Sequence, residues 1–249
     1  MDHPRTGFWQ LQSLSLLTLS FAVLTFVFIL IVVFLRIAFP LYPLVSYQDV
    51  FGILTPLVFI PVYWLLFRNA GRETSLGQEI AFMVLAALWV QGQGIHLSTN
   101  SIDNLVEALA RNHVLDIKAT DIYHLTYFLD ERLSHYLMHT GMLGLAALLI
   151  YREWRSPSGA ATSWWAAVPA GVIYGFSYFC LFIEGQDVAL GLPFALLLSL
   201  FVAIRGRQRL ARQPVLAFFF ITGLMALLLF AIWGLYWGGF PQFSDVKML

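Results

Sequence analysis

The sequence predicts an all-α, polytopic membrane protein of seven transmembrane helices forming a single domain over residues 1–249, and three observations lead there. Of the 249 residues 59% are hydrophobic and 11% charged, where a soluble domain carries about 25% charged residues. The apolar residues fall into seven runs, 13–38, 49–67, 78–98, 132–151, 164–183, 188–204 and 214–237, each long enough to cross about 30 Å of hydrocarbon as a helix. No repeat, low-complexity linker or second domain interrupts them.

The first run is too long for the apolar core of a signal peptide and lacks a small-residue cleavage site, so it is read as a retained helix. Pro40 and Pro43 break the chain after it. The second run contains Pro56 and Pro61, which membrane helices accommodate as kinks. The third continues past the membrane as the amphipathic stretch Ser101 to Arg111, and the fourth begins early, near Asp121. The two therefore form one long hairpin that turns near residues 115 and 116. Gly171 and Gly175 in the fifth run suit close helix packing. The sixth follows through Ile183-Glu184-Gly185-Gln186-Asp187, a connection so short that helices five and six must be neighbours. Trp164, Trp165, Trp233, Tyr236 and Trp237 fit interfacial aromatic belts.

Orientation follows from the basic residues. The side that holds the amino terminus carries nine arginines, among them Arg68, Arg72, Arg152 and the 205–212 cluster, against five basic residues opposite. The positive-inside rule makes the first side cytoplasmic. The long hairpin then protrudes on the outer side of a plasma or inner membrane. Net charge is zero, so no basic surface argues for nucleic acid, and the expected partners are membrane lipids. The single cysteine, Cys180, excludes an intrachain disulfide and a cysteine-based metal cluster. Lys118 and Lys247 lie outside the runs, which excludes an intramembrane Schiff base.

Two polar stripes face one another across the hairpin. Gln93, His96, Asn100, Asp103 and Glu107 descend one side, and His124, Glu131, His135 and His139 the other, both at helical spacing. With about 1.5 Å of rise per residue, folding the hairpin brings His96 level with His135, Asn100 with Glu131 and Glu107 with His124. Polar groups at this depth are costly unless they bind something. His96, His135, His139 and Glu131 are the candidate ligands of a divalent metal ion, zinc or iron. Glu131 and Glu184 are the candidate proton acceptors, and Gly92, Asn100, Tyr174 and Ser177 the candidate lining of a substrate pocket. The outer rungs Asp103, Glu107, His113 and His124 read as a solvated surface, and Asp130 as rotated about 100° off the ligand face.

Seven membrane helices with one histidine on an early helix and a His135-x-x-x-His139 pair resemble the CREST group of membrane hydrolases, which includes the alkaline ceramidases. In that family the pair stands on the last helix, whereas here it stands on the fourth. The resemblance implies zinc held by His96, His135 and His139 and hydrolysis of a lipid. The residues themselves leave two chemistries open: zinc-type hydrolysis of an amide or ester, in which bound water reaches a pKa of about 7, and iron-type oxidation by mixed histidine and carboxylate ligation. The first expectation is thus an intramembrane metalloenzyme acting on a lipid or other apolar substrate from the extracytoplasmic side. The alternatives are a metal or ion transporter, a sensor, or a non-catalytic assembly subunit.

Overall fold

Ser46 starts the first long helix that the sequence leaves unambiguous: its hydroxyl accepts from the Asp49 amide at 3.2 Å while the Asp49 carboxylate accepts from the Ser46 amide at 2.7 Å. This reciprocal cap satisfies two of the free amides at a helix N-terminus. In the computed structural model, which describes residues 8–34, 37–111 and 119–248, the capped helix is α2 (Tyr47–Ala70), and Pro56 and Pro61 lie inside it. Before it come α1 (Phe8–Phe34) and a small antiparallel hairpin of β1 (Ala38–Phe39) and β2 (Tyr42–Ser46), turning at Pro40 and Leu41.

After α2 the elements are α3 (Leu76–Arg111), α4 (Asp121–Tyr127), a π-helical turn (Phe128–Ser134), α5 (His135–Arg155), α6 (Trp164–Glu184), α7 (Val188–Phe201) and α8 (Pro214–Trp237). A short π turn and a 3₁₀ turn (Arg207–Arg212) join the last two. The fold is all-helical apart from the hairpin. Among the described residues six helical stretches are long and apolar enough to cross a membrane, including Leu76–Ile102 and the continuous rod Asp121–Arg155. This is the architecture of a multi-pass integral membrane protein. Pro214 at the first position of α8 starts that helix without sacrificing an internal hydrogen bond.

The extension of α3 to Arg111 and the early start at Asp121 match the long hairpin read from the sequence. The turn expected near residues 115 and 116, His113, and the side chains of Asp103 and Glu107 lie outside the described residues.

Two helix pairings position everything else. α3 lies along α5, and α6 is sandwiched between α1 and α8, with α2 bridging the two groups and α7 leaning on α8. Glycines set the closeness of both pairings. A Cβ at Gly92 would stand 2.5 Å from the Met138 amide nitrogen, and one at Gly141 would stand 2.7 Å from the Leu85 carbonyl. On the other pairing, Gly171 faces Ile221 and Gly175 faces Met225 with the same intimacy. The core is aromatic: Phe21 meets Phe59, Tyr63, Tyr174 and Phe218 at centroid distances of 4.8–6.3 Å.

One end of the bundle is tied by two consecutive buried polar side chains. Arg152 donates to Thr74 Oγ1 at 2.6 Å and to the Gly71 carbonyl at 3.0 Å, with its guanidinium 4.3 Å from the Phe67 ring centre. Glu153 accepts from the amides of Val215 and Leu216 at 3.2 and 2.7 Å, capping α8 from another helix. A carboxylate there satisfies free amides and meets the positive end of the helix dipole. The helix ends and connections at this end carry Arg72, Arg155, Arg205, Arg207, Arg209 and Arg212. The α6–α7 turn and the C-terminal segment gather at the opposite end.

Candidate functional site

Three imidazoles cluster toward the second end, between α3, α5 and the α6–α7 turn. His96 comes from α3, while His135 and His139 stand one turn apart on α5. The ring centres of His96 and His135 are 4.9 Å apart, and those of His135 and His139 are 5.8 Å apart. The levelling of His96 with His135 expected from the hairpin is thus realised. Gly92, one turn from His96, permits it by removing the side chain that would hold α3 away from Ser134 and Met138.

Every one of these rings is held at the same nitrogen by an oxygen. His96 Nδ1 lies 2.9 Å from Asp130 Oδ1, His135 Nδ1 lies 3.1 Å from the Gly185 carbonyl, and His139 Nδ1 lies 2.7 Å from Asp187 Oδ2. A carbonyl can only accept, so His135 donates from Nδ1, and an ionised carboxylate imposes the same on the other two. Asp130 Oδ1 additionally accepts from Thr99 Oγ1 at 3.0 Å. The side chains of Asp130, His139 and Asp187 are only 1–2% exposed, whereas His96 is 26% exposed. The site therefore opens at His96 and closes at His139. The His139 Nε2 atom is buried and has no hydrogen-bond partner among the described residues, and such groups are rare in folded proteins.

Asp130 reaches His96 because of the π-helical turn. An i→i+5 turn advances each residue through less rotation than an α-helix. Across Phe128–Ser134 that brings to the α3 side a residue that regular α spacing would rotate away. Sequence spacing read with a uniform period misses this carboxylate. It also misses Asp187, since a residue in a connecting turn has no periodicity; the shortness of the turn was the available signal. Gly185 and Gln186 shape that turn. Gln186 adopts a left-handed φ of 55°, and a Cβ on Gly185 would stand 2.7 Å from His139 Cε1.

The remaining candidates divide. Glu131 is half-buried beside Asp130. Asn100 donates to Asp49 Oδ1 at 3.4 Å, tying α3 to the start of α2. Glu184 turns toward the C-terminal segment, its Oε2 accepting from the Phe243 amide at 3.1 Å and its carbonyl from Gln242 Nε2 at 2.6 Å. Tyr174 lies in the aromatic core, its hydroxyl 3.3 Å from that of Tyr63. Ser177 is fully buried, and its hydroxyl has no partner among the described residues. His124 is exposed on α4. Phe182 packs on His139 with ring centres 4.6 Å apart. It also lines an apolar cavity of about 20 Å³, together with the pocket candidate Tyr174 and with Met142, Tyr178, Phe194 and Phe219.

Among the described residues no three histidine, cysteine, aspartate or glutamate side chains are gathered closely enough to hold a metal ion as they stand. The arrangement defines a class: a multi-pass membrane protein with a polar histidine and aspartate centre at one end of its bundle. No protein-family model, no curated protein and no solved structure matches the chain.

Proposed function

We propose that the protein is a metal-dependent membrane enzyme in which His96, His135 and His139 bind one divalent ion through Nε2. The observation that carries this reading is the engagement of all three Nδ1 atoms by oxygen acceptors, the pattern by which proteins orient metal-binding histidines. Ring spacing supports it. Two imidazoles sharing a tetrahedral ion at about 2.0 Å have centres roughly 5 Å apart, and the neighbouring rings here stand 4.9 and 5.8 Å apart.

When bound, zinc would supply Lewis-acid activation of water for attack on an ester or amide, and iron would supply oxidation. Glu131, four residues before His135, is the proposed proton acceptor. The apolar surroundings of the site, with Phe182 beneath His139, favour a lipid or other apolar substrate. In this reading α1 is the seventh span, the amino terminus and the arginine-rich loops are cytoplasmic, and the site is extracytoplasmic. The three histidines play the part they play in the CREST hydrolases, carried on different helices.

Elemental analysis of the purified protein tests the reading. One zinc or iron per chain is expected in the wild type, and its loss in His96→Ala and His139→Ala. Full occupancy in both variants overturns it. A second reading, a polar network that only ties α3 and α5 to the α6–α7 turn, is favoured by the hydrogen bonds already closed at each Nδ1. It requires a metal content of zero in all three proteins.

A further inference from the structure

We propose that Arg209 and Arg212 bind the phosphate of an anionic phospholipid at the arginine-rich end of the bundle. This site lies at the opposite end from the histidines and is independent of the metal-binding reading.

Charge at this end is far out of balance. Among the described residues it holds Arg68, Arg72, Arg152, Arg155 and the four arginines between positions 205 and 212, against Glu73, Glu79 and Glu153. Two of these acids are already engaged: Glu79 pairs with Arg68 at 3.4 Å, and the fully buried Glu153 accepts from the amides that begin α8. Arg155, Arg205, Arg207 and Arg212 are exposed and have no hydrogen bond or ion pair among the described residues.

The connection between α7 and α8 sets two arginines on one face. In a 3₁₀ helix residues three apart eclipse one another, about 6 Å along the axis. Arg209 and Arg212 therefore share a face of Arg207–Arg212, while Arg207 stands a third of a turn away. The Arg209 guanidinium lies 3.9 Å from the Trp154 ring centre, and its Nη1 donates to the Trp154 carbonyl at 3.1 Å. That contact uses one of the five N–H donors an arginine carries, and stacking holds the planar fork in place at the surface. Beside Arg212, the Ala211 carbonyl accepts from the Thr162 amide at 3.0 Å, which fixes the turn against the start of α6. Two guanidiniums at this spacing can share the oxygens of one phosphate, a group their fork geometry matches.

The surroundings select a lipid over a soluble phosphate. Leu197, Leu200, Phe201 and Ile204 are exposed, at the spacing of one helical side, and they lead along α7 and the π turn after it to the arginines. Trp164 and Trp165 are exposed at the start of α6, two and three residues after Thr162. Aromatic residues take that place at the level of lipid headgroups. An acyl chain lying along α7 would thus bring its phosphate to the depth of Arg209 and Arg212.

Native mass spectrometry tests the proposal on the full-length protein, released from micelles that hold phosphatidylglycerol and phosphatidylcholine in equal amounts. The wild type is expected to retain phosphatidylglycerol in preference. Arg209→Gln/Arg212→Gln should lower that preference about 25-fold, at roughly fivefold for each basic residue lost from an anionic lipid surface. Arg205→Gln/Arg207→Gln removes the same charge from other faces of the connection and should lower it much less. All four side chains are exposed, so both double variants should melt as the wild type does. An equal loss in the two double variants overturns the site in favour of a diffuse basic surface, and so does a wild type without preference. Excess inorganic phosphate should leave phosphatidylglycerol bound, and displacement by phosphate overturns the assignment to a lipid.

Discussion

Gly92 shows how much of the site depends on one missing side chain. In Gly92→Ala the new methyl meets the Met138 amide and the Ser134 carbonyl at 2.5 and 2.6 Å, and backbone atoms cannot swing aside as a side-chain tip does. Overpacking of this kind costs about 1–3 kcal/mol. The expected outcome is a lowered unfolding midpoint in detergent together with reduced metal content, because His96 lies one turn further along α3. Gly94→Ala is the control. Nothing lies within 4 Å of its Cβ position, and alanine gains up to about 1 kcal/mol over glycine in a helix, so its midpoint should hold or rise. At the bundle's other end Glu153→Ala strips the cap from the Val215 and Leu216 amides. Leaving buried donors without a partner costs about 1–3 kcal/mol, which the same melting measurement reads.

At the scale of elements, the π-helical turn and the α6–α7 turn do the arranging. Deleting Leu133 restores regular α spacing between Asp130 and His135 and rotates the residues before the deletion relative to those after it. Asp130 should then separate from His96, read as a change in the His96 ¹⁵N signals alone, while those of His139 stay as in the wild type. The histidines were legible in the sequence because 3.6-residue periodicity and the hairpin length together set their depth. The aspartates were not: Asp130 depends on a local departure from that periodicity, and Asp187 sits in a turn where spacing has no meaning. Glu184 illustrates the converse. Its position in the turn suggested a catalytic carboxylate, yet its hydrogen bonds run to Gln242 and Phe243. Glu184→Ala should speed hydrogen exchange at the Phe243 amide and leave metal content unchanged.

For the whole molecule, the sidedness of the charges makes a geometric prediction. In a Cys180→Ala background, a cysteine at Arg207 should react with a membrane-impermeant thiol reagent only from the cytoplasmic side, and one at Ile122 only from the outside. Both positions are exposed, and they belong to opposite ends of the bundle. Labelling of both from one side would contradict the alternation of the helices, and an exchange of sides would reverse the orientation read from the arginines.

The sequence by itself determined the all-helical membrane architecture, the limits of six apolar helices to within a few residues at most ends, the long α3–α4 hairpin and the level at which His96 meets His135. These depend on hydropathy, length and helical rise, which are additive along the chain. Only the tertiary structure decided which oxygen holds each imidazole. That choice depends on how far a π turn rewinds one helix and on where a three-residue connection lands against another, and both are set by packing between segments distant in sequence.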